Sequence, residues 1–219
     1  LQKQAEELRR SNQDLEEFAY AASHDLQEPL RAVTGCLQIL EQRHEGELTS
    51  DAKELIDHAI NGAERMRNLI EDLLSFSRVG TSGEQFELVS CEEAVDEALN
   101  NLAAAVTESG ASIVRDPLPE LNGDKTQLTM LFQNLIGNAI KFRSEEPLEI
   151  RIRSEHVNNQ TVISVHDNGI GIDSAHLDRV FVIFQRLHTR RKYPGTGIGL
   201  SLCRKIVERH GGSISVDST

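Results

Sequence analysis

Gln133-Asn-Leu-Ile-Gly-Asn-Ala-Ile-Lys-Phe142 decides how the second half of this chain folds and what it can hold. Asn134, Asn138 and Lys141 stand at i, i+4 and i+7, so on a helix two carboxamides and an ammonium leave from one face. A neutral carboxamide oxygen suits a hard cation, and an ammonium suits phosphate oxygens, so that face can hold a metal ion and phosphates together. Asp124 with Gln127 predicts the helix start, and the apolar period runs out near Phe142.

Two glycine runs downstream supply backbone for the same purpose. Gly195-Thr-Gly-Ile-Gly-Leu200 precedes a predicted helix over 197–210, so its free N–H groups and the positive helix end can face phosphates. Asp167-Asn-Gly-Ile-Gly171 follows an alternating stretch, and its glycines let the main chain approach a ligand with no Cβ in the way. With the Asn/Lys face, these runs read as a nucleotide site.

The rest of this half alternates. A strand is predicted near 86–89 and a helix over 90–108 with a Ser90/Glu93 capping box, followed by a strand over 112–115. Strands over 148–157 and 161–167 join at Asn158-Asn159, a short helix lies near 175–181, and Ser213–Asp217 reads as a strand. The polar, basic stretch Gln185–Pro194 is the candidate lid, with Phe181 and Phe184 packing its hinge.

The first half is helical. Leu1, Leu8, Leu15 and Ala22 repeat every seven residues, and Ala5, Asn12, Ala19 and Leu26 form a second such series, the a/d pattern of a coiled coil with Asn12 at an a position. The pattern continues to about Arg43, and Pro29, which removes one backbone hydrogen bond, is expected to kink the helix just after His24. After a turn at 44–50, Thr49, Ser50 or Asp51 caps a second helix through Leu74. A helical hairpin with one apolar stripe covers it by pairing with a second copy, giving a dimeric four-helix bundle. Gly80-Thr-Ser-Gly83 breaks the period, which divides the chain into a coiled coil and hairpin (1–82) and an α/β sandwich (83–219): an α+β protein.

Composition excludes several alternatives. A net charge of −12 without a basic stripe opposes nucleic acid and anionic lipid. Cys36, Cys91 and Cys203 are widely spaced and odd in number, which argues against a disulfide framework or a zinc cage and for a reducing cytosol. No apolar run reaches the roughly 20 residues of a membrane span.

One more segment, Ser23-His-Asp-Leu-Gln-Glu-Pro-Leu-Arg31, sets a histidine beside a carboxylate. It resembles the H box of sensor histidine kinases in its phytochrome-type variant. Residues 133–142, 167–172, Phe181/Phe184 and 195–200 resemble the N, G1, F and G2 boxes in their usual order. The resemblance covers essentially the whole chain and implies a dimerisation/phosphoacceptor domain followed by a gyrase/Hsp90-type catalytic ATP-binding domain.

It also implies roles. His24 is the phosphoacceptor, and Asp25 is the general base that takes or holds the proton on the other imidazole nitrogen. Asn138 is the Mg²⁺ ligand, Asn134 and Lys141 meet phosphates, and Phe142 flanks the adenine. Asp167 accepts from the adenine amino group beside Gly169 and Gly171, and Gly195, Thr196, Gly197, Gly199 and Leu200 wrap the phosphates. Asn134 stands where the ATP-hydrolysing relatives carry a catalytic Glu, and an amide there cannot act as a base toward water. Glu28 stands where many related kinases place Thr or Asn to orient a hydrolytic water, a departure from their phosphatase pattern.

The implied activity is ATP-dependent autophosphorylation of His24 and transfer to an aspartate of a response regulator. The implied partners are a second copy, that regulator, and an upstream sensor domain of the same full-length, cytoplasmic protein. Related ATP domains continue past a segment like Gly211–Val216 with a last strand, so a sheet one strand short is expected. The rival readings are a scaffold that binds ATP without transferring it and an ATPase of the gyrase/Hsp90 kind.

Overall fold

The computed structural model describes residues 23, 25–44, 46–79, 86–158, 160–187, 192–193 and 195–218. The chain divides into two compact units, Leu1–Thr81 and Ser82–Thr219.

In the first unit, helix α1 covers residues 25–43 and remains helical on both sides of Pro29. Coiled-coil positions 1–22 lie outside the described residues. Backbone bonds from Glu47 and Leu48 N–H to the His44 carbonyl close the turn, and helix α2 follows over Ser50–Arg78. Of the three expected caps Thr49 is the one used: its hydroxyl accepts from Ala52 N–H at 3.3 Å. Ile56 and Ala63 are buried, whereas Leu26, Val33, Ile39, Leu40, Leu55, Met66 and Leu73 are exposed. Among the described residues no helix is long and apolar enough to cross a membrane.

The second unit is a mixed α/β domain. Its strands are β1 (Glu87–Ser90), β2 (Ser112–Arg115), β3 (Glu120–Gly123), β4 (Glu149–Val157) and β5 (Gln160–Asp167). Its helices are α3 (Cys91–Asn101), α4 (Ala103–Ser109), α5 (Lys125–Lys141) and α6 (Gly199–Arg209), with a 3₁₀ turn at Ser174–Arg179. β1 and β3 pair antiparallel, while β4 runs parallel to β2 and antiparallel to β5. The register Val157↔Gln160 leaves a two-residue hairpin loop, in which Asn158 takes φ 50°. Helix α5 packs against α3 and α6, and Val95, Ile136, Ile150, Ile152, Ile198 and Ile206 are fully buried around it.

Several expectations are corrected. The helix expected over 90–108 breaks at Leu102 (φ −98°, ψ 7°) into α3 and α4. Glu93 N–H does bond to Ser90 Oγ at 3.4 Å, but the Glu93 carboxylate pairs with Lys125 at 2.9 Å. The short helix near 175–181 is a 3₁₀ turn capped by Asp173. Residues 213–217 are not a strand. Alternation makes a strand only where a neighbouring edge accepts it, and no described strand pairs with this segment. The two-stranded β1–β3 sheet was unforeseen.

Candidate nucleotide site

Helix α5 brings the Asn/Lys face to the glycine loop before α6. Asp124 caps α5 by accepting from Gln127 N–H at 3.1 Å, and Phe142 closes it with its N–H on the Asn138 carbonyl at 2.9 Å. Ile136, Ala139 and Ile140 are buried on one side of the helix, leaving Asn134, Asn138 and Lys141 half-buried on the other.

Asn134 Nδ2 donates to the Met130 carbonyl at 2.9 Å, which aims its Oδ1 at the first residue of α6; a Cβ on Gly199 would lie 2.6 Å from that oxygen. Asn138 is half-buried and its carboxamide has no side-chain partner among the described residues. Lys141 Nζ lies 4.5 Å from the centroid of the Phe142 ring. It also occupies the space beside Gly195, where a Cβ would approach it to 2.5 Å.

The loop Asp167–Ile172 joins from the end of β5. Gly169 N–H donates to Asp167 Oδ1 at 2.8 Å, and Ile170 N–H donates to the Phe142 carbonyl at 3.0 Å. A Cβ on Gly169 would stand 2.6 Å from both acceptors, so the sequence has glycine where the main chain passes Phe142. Gly171 follows at φ 69°. Asp167 is exposed. Asn168 ties the loop to the sheet by accepting from Glu149 N–H and donating to the Pro147 carbonyl, both at 2.8 Å.

On the α6 side, Gly195 and Gly197 adopt φ 144° and 83°, and Thr196 Oγ1 accepts from Ile198 N–H at 3.4 Å. No side chain among the described residues caps the α6 N-terminus. Leu200 is half-buried in its first turn. The glycine loop, Asn134 and Lys141 therefore form one rim at a helix N-terminus, an arrangement suited to an anion.

Three participants were not foreseen. Arg186, in the candidate lid, donates to the carbonyls of Gly195 and Tyr193 and so braces the glycine loop. The Tyr193 ring packs on Phe142 with centroids 4.9 Å apart. His210, at the far end of α6, accepts from Asp124 N–H. Of the two hinge aromatics, Phe181 is buried beneath the Arg204 guanidinium, while Phe184 is 57% exposed at φ 62°. A shallow depression bordered by Val114, Asp116, Arg151 and Arg153 lies on the sheet and includes none of the expected site residues. In the first unit, Asp25 is helical and exposed, and His24 lies outside the described residues.

Among the described residues no group of three His, Cys, Asp or Glu side chains can hold a metal ion. The Asn138 carboxamide oxygen is then a donor that fits Mg²⁺ held chiefly through a nucleotide's phosphates, not an ion caged by protein.

Residues 14–82 match the His Kinase A (phospho-acceptor) domain, and residues 123–219 match the histidine kinase-, DNA gyrase B-, and HSP90-like ATPase. The chain is 52% identical over 214 residues to Cyanobacterial phytochrome A of Nostoc sp. (strain PCC 7120), covering 98% of this chain and 28% of that protein. It thus spans less than a third of that relative's length. Full-length ShkA, solved in complex with AMPPNP, superposes with a TM-score of 0.67 at 24% identity, covering 93% of this chain and 43% of that one. Histidine kinase ThkA, solved in complex with response regulator protein TrrA, gives 0.61 at 21%, covering 100% and 62%. At those identities the two structures establish the fold. A phosphoacceptor segment followed by a histidine-kinase-type ATPase segment, with 52% identity to a phytochrome across both, places the chain in the sensor histidine kinase family, in its phytochrome-like branch.

Proposed function

We propose that this chain is an ATP-dependent protein-histidine kinase core, in which residues 83–219 bind Mg·ATP and residues 1–82 carry the phosphoacceptor His24. The observation that carries the reading is the meeting of Asn134 and Lys141 with Gly199 and Gly195 at the α6 N-terminus. The four residues bring a carboxamide and an ammonium to a glycine loop and helix N-terminus, whose backbone N–H groups suit an anion.

In this reading Lys141 and the N–H groups of the glycine loop orient the triphosphate. Phe142 flanks the adenine, and Asp167 accepts from its amino group. Asn138 supplies an oxygen to Mg²⁺, which when bound neutralises charge on the phosphates. A neutral His24 nitrogen forms the N–P bond as the bond from the γ-phosphorus to the bridging oxygen breaks, with ADP keeping the electron pair. Asp25 takes or holds the proton on the other imidazole nitrogen. Asn134 is an amide and leaves water without a base at that position, which favours transfer over hydrolysis. An aspartate of a response regulator then takes the phosphoryl group from His24.

The exposed apolar residues of α1 and α2, with Leu55 70% accessible, support a homodimer whose two hairpins form a four-helix bundle. A cytoplasmic setting and an upstream sensor domain in the full-length protein complete the reading. Incubation of this chain and of His24→Gln with radiolabelled Mg·ATP tests it. Acid-labile, alkali-stable label in the parent alone supports the reading; label that persists in His24→Gln, or phosphate release without protein label, defeats it.

A further inference from the structure

We propose that His210 is a positioning residue for the nucleotide site, setting from the far end of α6 where Gly199 meets Asn134. As to the nucleotide, the inference rests on the function proposed above.

The α6 face turned to the core consists of Ser201, Leu202, Cys203 and Ile206; Ser201 bonds within its own helix, to the Ile198 carbonyl at 2.7 Å, and Cys203 Sγ reaches the α5 Leu131 carbonyl only at 3.9 Å, so this face is held mainly by apolar packing. The shorter directional ties from α6 to the start of α5 lie at its C-terminal end. His210 Nδ1 lies 2.8 Å from the Ile206 carbonyl, where it donates, so Nε2 carries the lone pair. That lone pair accepts from Asp124 N–H at 3.0 Å, tying the end of α6 to the residue that caps α5. With the Arg209–Asp124 pair, this bond ties the C-terminal end of α6 to the helix that bears Asn134.

The ring is flanked on several sides. On one side a Cβ on Gly123 would come within 2.6 Å of His210 Cδ2, so the imidazole lies against bare backbone. Phe86, just before β1, stacks on the ring at 4.6 Å with 16° between planes. Arg209 completes the clamp, its guanidinium 3.3 Å from Asp124 Oδ2 and 5.3 Å from the Phe86 centroid. Eleven residues separate this clamp from Gly199, roughly 16 Å along a helix that moves as a rod. A shift of the clamped end therefore moves Gly199 against Asn134, where a Cβ has no room.

The chemistry of the clamp gives the test. In His210→Gln the amide oxygen reaches the place of Nε2 and accepts from Asp124 N–H. In His210→Asn the shorter amide does not reach it, and Gly123→Ala displaces the ring without altering it. Amide hydrogen exchange over residues 199–203 and the dissociation constant for Mg·ATP are measured on the full chain. Expected are exchange about tenfold faster and ATP about tenfold weaker in His210→Asn and in Gly123→Ala, with His210→Gln within about twofold of the parent. Unchanged exchange at 199–203, or acceleration spread equally over all helices, overturns the proposal, because a residue that only adds stability acts uniformly. If the parent binds no ATP while the exchange pattern holds, the nucleotide reading fails and the positioning role stands.

Discussion

Asn134 and Gly199 face each other so closely that a Cβ added at residue 199 would lie 2.6 Å from Asn134 Oδ1. The carboxamide is held by its donation to the Met130 carbonyl, so making room means turning it away and losing that bond. The cost is about 1 kcal/mol, which corresponds to about fivefold in affinity. Gly199→Ala is expected to fold normally and to bind Mg·ATP about fivefold more weakly by titration calorimetry. Unaltered affinity would show that the contact between α5 and α6 does not shape the site.

Gly169→Ala should be the more damaging of the two glycine variants. Of the two oxygens in its way, Asp167 Oδ1 and the Phe142 carbonyl, the second is main chain and also holds Ile170 N–H. Giving way there disrupts that bond together with the one from Gly169 N–H to Asp167, at about 1 kcal/mol each. A fall of about 2 kcal/mol in unfolding free energy by chemical denaturation is expected, with ATP binding lost beyond the fivefold of Gly199→Ala. A melt equal to the parent's would mean that the Asp167–Gly171 loop tolerates a side chain.

What the sequence revealed follows from how local each signal is. Helix α5 carries its own cap at Asp124 and its own period, so its bounds and the Asn134/Asn138/Lys141 face were legible before any neighbour was known. The strand at Ser112–Arg115 was legible for the same reason. β3 was not: in Glu-Leu-Asn-Gly only Leu121 is apolar, and the segment is a strand because β1 lies beside it. The break at Leu102 has no glycine or proline to announce it, and the Ala-rich residues after it continue a helical composition. Residues 213–217 failed in the opposite sense, with a strand pattern and no described strand to pair with. At the site, the glycines were readable from their spacing. Arg186 acts through carbonyls seven and nine residues on, and His210 through a main-chain amide 86 residues away, relations that no motif encodes.

The Asp124–Arg209 pair ties the start of α5 to the end of α6 at 3.3 Å, with Asp124 only 3% exposed. Asp124→Ala removes the α5 cap and leaves Arg209 beside a site without its carboxylate, a loss of about 3 kcal/mol. Asp124→Asn keeps an acceptor for Gln127 N–H and should lose less than half as much. Urea unfolding of the two variants decides, and equal losses would show that the charge, not the cap, dominates.

Alkali should weaken the fold through its buried thiols. Burial pushes Cys91 from 9.0 to about 11 and Cys203 to about 12, because neither thiolate has water to solvate it. An unfolded chain releases these protons near pH 9 while the folded one keeps them. Their stabilising contribution is thus complete below pH 9 and is lost as pH rises toward about 11 for Cys91 and about 12 for Cys203, at about 1.4 kcal/mol per pH unit for each thiol. Cys36 is exposed. Between pH 9 and 10.5, unfolding free energy measured in urea should fall with pH, and Cys91→Ala should flatten the slope. The same state predicts one thiol titrated by a chromogenic disulfide in the native chain at pH 8 and all three in denaturant. Rapid native labelling of a second cysteine would contradict the burial on which the slope depends.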